Sequence, residues 1–128
     1  MFAALCDDDK YITEEIKKLL LEYAKDNRIT IDIDEFESGE ELLNSEKNYD
    51  IIVLDYQLGS TNGLTVAKEL RKRNVLSSII FLTSYPNFMI DAFELNTFRF
   101  LLKPIDKSKF FKAIDDYIKI VDANYPIT

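Results

Sequence analysis

Four apolar stretches of this chain each end in polar side chains that could take part in chemistry. Asp7 and Asp8 follow residues 2–6, Asp55 follows residues 49–54, Thr83 follows residues 79–82, and Lys103 follows residues 98–102. If these stretches are strands of an open parallel sheet, their carboxyl ends meet at one edge, where ligands bind. The spacing therefore predicts that acidic side chains, a hydroxyl and an ammonium group gather around Asp55.

Such a cluster suits a divalent cation and phosphoryl chemistry. Three carboxylates about 5 Å apart repel by roughly 3 kcal/mol per pair at an effective dielectric constant near 20, so they need a neutralising cation. Because the donors are oxygens, the sequence favours Mg²⁺ or Mn²⁺ over zinc. An aspartate beside such an ion can attack a phosphoryl donor and form an acyl phosphate. Lys103 and Thr83 could then stabilise the charge of the transferred group.

The composition excludes several other functions. The chain has no histidine, which excludes imidazole catalysis, histidine metal sites and phosphohistidine on this chain. Its net charge of -7 disfavours direct binding to nucleic acid or to an anionic membrane. No apolar run is long enough to span a membrane, and the single cysteine, Cys6, falls in a predicted buried strand. A cytoplasmic location and a packing role for the Cys6 thiol are therefore expected.

The apolar pattern alternates between strand-like runs and helical periodicity along the chain. It predicts five strands alternating with five helices, an α/β fold with a doubly wound, flavodoxin-like parallel sheet in the order 2-1-3-4-5. Local signals predict an edge strand over residues 29–34 and a capping box from Ser38 to Glu41. They also predict a fourth helix around residues 89–95 and a last helix that starts at Asp106 or Ser108. One domain over residues 1-128 is expected.

Five short motifs in order along the chain identify a family resemblance. They are Cys6-Asp7-Asp8, Asp55, Gly63 eight residues later, Thr83-Ser84 and Lys103-Pro104. With them the chain resembles, over essentially its whole length, the receiver domain of bacterial two-component response regulators. Residues 92–104 are similar to receivers attached to LytTR-type DNA-binding domains. The resemblance implies a response regulator fragment that lacks its C-terminal output domain.

The resemblance assigns roles to the acidic cluster. It implies that Asp55 is the phosphoacceptor and that Asp8 and Asp55 bind Mg²⁺ directly. Asp7 would act through a water molecule, and the backbone carbonyl of Gln57 would be a further ligand. The chain would accept a phosphoryl group, and could lose it again, without being a conventional turnover enzyme.

The resemblance also implies a switch and partners. Thr83 would move toward the phosphoryl group, Lys103 would pair with it, and Phe100 would be the switch aromatic whose rotamer follows Thr83. The Lys103–Pro104 bond is usually cis in such domains. A sensor histidine kinase would be the donor, and the face formed by residues 86–121 would form a homodimer on phosphorylation and so regulate transcription. A stand-alone receiver that acts by protein–protein interaction or in a phosphorelay is the alternative.

Two residues depart from the family pattern. Gly59 stands where the family often has proline, which predicts a more flexible loop. Tyr85 lies two residues beyond Thr83, where a bulky ring could shield the acyl phosphate from water, so slow loss of phosphate is predicted.

Two other functional classes and one other fold type fit the sequence less well. A hydrolase of the haloacid-dehalogenase type needs an acid two residues after its nucleophile, and Gln57 cannot donate that proton. An interaction module that does not use phosphorylation is disfavoured because all the site residues are present. A nucleotide-binding Rossmann domain would need a glycine-rich fingerprint after the first strand.

Overall fold

A computed structural model describes residues 1–59, 61–73, 75–85 and 99–124. The described strands and helices, in chain order, are β1 (Phe2–Cys6), α1 (Lys10–Asn27), β2 (Asp32–Phe36), α2 (Gly39–Asn44), β3 (Ile51–Asp55), β4 (Gln57–Leu58), β5 (Thr61–Asn62), α3 (Gly63–Lys72), β6 (Ser78–Thr83), β7 (Arg99–Leu102) and α4 (Lys107–Asn124). The helix predicted around residues 89–95 lies outside the described residues. None of the described helices is both long and apolar enough to cross a membrane.

The main sheet has the predicted topology. Within the described residues it contains five parallel strands in the order β2-β1-β3-β6-β7. Counting only these five strands, this is the order 2-1-3-4-5, so the predicted doubly wound α/β fold is confirmed. Every strand of the sheet therefore presents its carboxyl end at the same edge.

Side chains on the two faces of the sheet build two separate hydrophobic cores. Successive residues of a strand point to opposite faces, so β1 gives Leu5 to one core and Cys6 to the other. Helices α1 and α4 cover the first core, where Tyr23 contacts Phe111 edge to face with ring centroids 5.3 Å apart. Helices α2 and α3 cover the second core. The central strands β1 and β3 are buried on both faces, which explains their continuous apolar runs.

Helix starts follow the sequence signals with one difference. Asp9 caps α1 by accepting a hydrogen bond from the Tyr11 amide at 2.9 Å. Ser38 caps α2 by accepting one from the Glu41 amide at 3.2 Å, as predicted. The Glu41 carboxylate does not complete the capping box on Ser38, because it accepts from the Glu37 amide at 3.1 Å instead.

The structure differs from the local predictions in two places. The edge strand predicted over residues 29–34 lies at Asp32–Phe36, because pairing with β1 sets its register and places Phe36 opposite Cys6. The loop predicted at Gly59 is flanked by the antiparallel strands β4 and β5, with Gln57 opposite Asn62. Between these strands Gly59 has a φ of 64°, a left-handed conformation that glycine adopts at little cost.

Candidate functional site

The carboxyl ends of β1 and β3 bring three carboxylates together. Asp7, Asp8 and Asp55 each offer an oxygen within 4.8 Å of the others. Asp7 and Asp55 are buried, whereas Asp8 is exposed. The Asp9 amide holds the Asp7 carboxylate through a 2.9 Å hydrogen bond to Oδ1. The sheet edge predicted from the strand ends therefore does collect these acids.

Lys103 links two members of this carboxylate cluster. Its Nζ lies 3.2 Å from Asp7 Oδ2 and 3.3 Å from Asp55 Oδ2, and its side chain is only 16% exposed. The Lys103 amide also donates to the Thr83 carbonyl at 2.7 Å, which continues the β6–β7 pairing to the lysine. The Lys103–Pro104 peptide bond is cis, as predicted.

The surroundings of Asp55 make its carboxyl group harder to ionise than that of a free aspartate. Burial, followed by the nearby Asp7 carboxylate, raises the pKa of Asp55 from 3.8 to about 6. Lys103 and the Gln57 amide, which donates to Asp55 Oδ1 at 3.2 Å, oppose this rise. Burial by itself would lower the pKa of Lys103, but the Asp55 and Asp7 carboxylates outweigh it and raise that pKa. The lysine therefore stays charged beside the acids.

Thr83 lies at the same edge as the carboxylate cluster. Asp55 pairs with Leu82 across the sheet, so Thr83 is one residue further toward the edge. Its side chain is buried, with 1% exposure, and its hydroxyl oxygen accepts a hydrogen bond from the Tyr85 amide at 3.2 Å. Since this bond uses an oxygen lone pair, the hydroxyl hydrogen remains able to donate to an acceptor at the site.

Phe100 is connected to the site through the second core. It is half-buried on β7 and lies opposite Phe81 of β6, with ring centroids 6.0 Å apart. Phe81 in turn contacts Tyr56, the residue after Asp55, with centroids 5.9 Å apart. Three aromatic rings thus lead from the residue after Asp55 to Phe100, the predicted switch residue.

The backbone of Gln57, and not its side chain, contacts the carboxylate cluster. It is the first residue of β4, its side chain is exposed, and its amide contacts the Asp55 carboxylate. These positions agree with a role that does not depend on the glutamine side chain. The ligand roles of Gln57, Asp7 and Asp8 remain predictions.

Cys6 is a packing residue next to the site. Its side chain is buried and its thiol contacts the Ser38 carbonyl at 3.4 Å. Burial, followed by the neighbouring carboxylates led by Asp7, raises the pKa of Cys6 to about 12. Such a thiol stays protonated and unreactive at neutral pH.

The donor set of the carboxylate cluster fits a hard divalent cation. The three clustered groups are all carboxylates, which Mg²⁺ prefers, and the neighbouring thiol is protonated. When ionised, three carboxylates and the single ammonium of Lys103 leave two negative charges uncompensated. A divalent cation would balance that charge.

Sequence reasoning missed the reason for Gly63. It used Gly63 only as a motif of the family resemblance, with the turn into the following helix as a simpler explanation. In the structure a Cβ atom at Gly63 would lie 2.5 Å from the Asp55 carbonyl oxygen. A contact between residues eight positions apart depends on the turn between them, which the local pattern did not reveal.

Comparisons with known proteins find relatives along most of this chain. The profile of the response regulator receiver domain family matches residues 3–115. The chain is 33% identical over 120 residues to the sensory transduction protein LytT of Bacillus cereus, which covers 93% of this chain and 48% of LytT. It is also 33% identical over 117 residues to LytR of Staphylococcus epidermidis, covering 90% of this chain and 45% of LytR. The chain thus spans about half the length of these relatives.

Solved structures share the fold. The response regulatory domain of protein mrkE from Klebsiella pneumoniae matches with a TM-score of 0.83 and 22% identity, covering 94% of this chain and 97% of that domain. The response regulator TrrA from Thermotoga maritima, in complex with Mg²⁺ and BeF, matches with a TM-score of 0.78 and 28% identity. That match covers 91% of this chain and 97% of TrrA.

Proposed function

This chain belongs to the response regulator receiver domain family, and from that premise we propose that Asp55 accepts a phosphoryl group from a sensor histidine kinase in a Mg²⁺-dependent reaction. The observation that supports this most strongly is the position of Asp55 itself. Its carboxylate is buried, lies within 4.8 Å of two other acids and contacts the ammonium of Lys103 at 3.3 Å. No conventional enzyme activity is proposed.

The carboxylate cluster would hold the cation. Asp8 and Asp55 would bind it directly, Asp7 through a water molecule, and Gln57 through its backbone carbonyl. The cation would supply positive charge that neutralises the phosphoryl oxygens during transfer. TrrA, the 28% identical response regulator, binds Mg²⁺ and BeF, which supports this part of the proposal.

The side chains around Asp55 account for the transfer step. An Asp55 oxygen attacks phosphorus as the bond from phosphorus to the kinase histidine nitrogen breaks, and the electron pair returns to the imidazole. Lys103, already 3.3 Å from Asp55, would follow the negative charge onto the phosphoryl group. Thr83 would donate its hydroxyl hydrogen to a phosphoryl oxygen while it keeps the Tyr85 amide as its own donor.

The output would pass through β7 and α4. Movement of Thr83 would change the packing of Phe100, which contacts Phe81 in the second core. The face of residues 86–121 would then form a homodimer; residues 86–98 of that face lie outside the described residues. Since LytR of Staphylococcus aureus is named a transcriptional regulatory protein and is about twice as long, we propose that this domain regulates transcription through a LytTR-type output domain.

Acetyl phosphate and Mg²⁺ provide a direct test of the acceptor. Intact-mass spectrometry should show the addition of one phosphoryl group, which should be lost with excess EDTA and in Asp55→Asn. An unchanged mass, or equal phosphorylation of Asp55→Asn, would refute the proposal. Turnover of a generic aryl phosphate would point to a hydrolase instead.

Light scattering tests the dimer separately. The phosphorylated domain should approach twice the monomer mass, whereas Asp55→Asn under the same conditions should not. A phosphorylated protein that remains monomeric over a wide concentration range would reject the dimer but leave Asp55 as the acceptor.

A further inference from the structure

The first residue of α3 lies directly against the backbone of the phosphoacceptor strand. Gly63 is buried, and a Cβ atom added to it would lie 2.5 Å from the Asp55 carbonyl oxygen. The same atom would lie 3.1 Å from the Tyr56 Cα and 3.0 Å from the Phe81 Cε1. Cβ atoms in proteins essentially never lie within 3.0 Å of another heavy atom in this way, so any residue larger than glycine must displace something.

The groups that an added Cβ would meet are held in place. The Gly63 amide donates to the Tyr56 carbonyl at 2.6 Å, and the Tyr56 amide donates to the Leu82 carbonyl at 3.0 Å. Asp55 itself pairs with Leu82 in the sheet. The β4–β5 hairpin carries the chain away from Asp55 and returns it at Gly63. The Tyr56 backbone is thus hydrogen-bonded to Gly63 through its carbonyl and to Leu82 through its amide. A larger residue at position 63 would therefore displace the adjacent backbone of Asp55.

We propose that Gly63 is a positioning residue for Asp55, an inference that rests on the proposed function. The missing side chain lets α3 begin close enough to set where the Asp55 carboxylate lies relative to Asp7 and Lys103. Mg²⁺ requires near-ideal geometry, and in-line transfer loses roughly 100-fold for a misplacement of about 1 Å. A small backbone shift at Asp55 is therefore sufficient to impair the site.

Gly39 offers a matched control. It is also buried and also begins a helix, α2, and an added Cβ would overlap the Val66 Cγ2. Its other nearest atoms, Thr61 Cγ2 and Leu58 Cδ1, lie at 3.6 and 3.7 Å, which are ordinary contacts. All three neighbours are side chains of residues outside the carboxylate cluster. Gly39→Ala therefore makes the same chemical change at a helix start without touching the Asp55 backbone.

The experiment compares Gly63→Ala with Gly39→Ala at a temperature where both are folded. Both variants should lose stability in urea unfolding. Only Gly63→Ala should weaken Mg²⁺ binding, measured by calorimetry, and slow phosphorylation by acetyl phosphate at saturating Mg²⁺, each by roughly tenfold or more. Adding Val66→Ala should restore the stability of Gly39→Ala. Adding Phe81→Leu to Gly63→Ala should not restore Mg²⁺ affinity, because the clash with the Asp55 oxygen remains.

A measurement on the wild-type protein covers the case in which Gly63→Ala does not fold. The chain has 3 glycines, so selective ¹⁵N-glycine labelling gives three amide signals that can be assigned by substitution. On titration with Mg²⁺ the Gly63 signal should shift, and the Gly39 signal should not. An unmoved Gly63 signal, or a Gly63→Ala variant that keeps wild-type Mg²⁺ affinity and rate, would overturn the inference. Wild-type protein that neither binds Mg²⁺ nor accepts phosphate would overturn the proposed function instead.

Discussion

Asp55→Asn should stabilise the metal-free protein at neutral pH, although it removes the proposed acceptor. Asparagine has the shape of the protonated acid and can still accept the hydrogen bond from the Gln57 amide. Lys103 keeps Asp7 as a partner at 3.2 Å. The substitution therefore removes a buried negative charge while leaving the lysine paired.

The magnitude follows from the raised pKa of Asp55. A pKa of about 6 in the folded state, against 3.8 in the unfolded chain, means that the folded state binds the Asp55 proton more tightly. The stability associated with that proton is complete below pH 3.8 and is lost as the pH rises through 6. The loss amounts to about 3 kcal/mol at pH 7 and to less than about 1 kcal/mol at pH 4. Repulsion between two charges at most 4.8 Å apart is at least about 3.5 kcal/mol at a dielectric constant of 20, which is of the same order.

Urea unfolding followed by circular dichroism at pH 4 to 8 in EDTA tests this reasoning. At pH 7 to 8 the midpoint of Asp55→Asn should exceed that of wild type by about 1 to 3 M, and the difference should shrink steadily toward pH 4. The exposed Asp26→Asn in α1 should change stability by less than about 0.5 kcal/mol at every pH. Equal or lower stability of Asp55→Asn at pH 7, or a gain that does not vary with pH, would refute the argument.

Three further substitutions test other parts of the structure. Lys103→Met should destabilise the metal-free protein, because it removes the positive charge that pairs with the two buried carboxylates. Mg²⁺ should then raise the Tm of the variant by more than it raises the Tm of the wild type. An equal rise would show that Lys103 does not compensate the charge of the carboxylate cluster. Tyr85→Ala should shorten the lifetime of the acyl phosphate severalfold, as followed by intact mass, because Tyr85 lies two residues from Thr83 and is 47% exposed. An unchanged or longer lifetime would contradict shielding of the acyl phosphate by the ring. Gly59→Pro should lower the free energy of unfolding by more than the roughly 1 kcal/mol expected for Gly59→Ala, because proline fixes φ near -65° where the backbone has 64°. Equal stability of the proline and alanine variants would show that the hairpin can change its turn.

The sequence predicted the fold and the site where the information is local. Buried strands can be recognised in the sequence as apolar runs. In a parallel sheet the residues that end these strands, Asp7, Asp55, Thr83 and Lys103, then lie at one edge. What it could not predict depends on pairing between distant segments. The register of β2 is set by β1, and the close approach of Gly63 to Asp55 follows from the β4–β5 hairpin, whose strands are only two residues long. Short pairs of this kind carry too little periodicity to be recognised.

Strand β7 contributes to both hydrophobic cores, and this restricts how it can respond at its end. Phe100 packs into the core under α2 and α3, whereas Leu101 packs into the core under α1 and α4. Tilting the strand toward either face would compress one core and open the other, and close-packed interiors resist both. Sliding along its own axis, or rotating single side chains, disturbs the two cores least. A displacement of Lys103 at the end of β7 should therefore move the strand along its own axis. The start of α4, which follows in the chain, should shift with it, and the sheet should not bend.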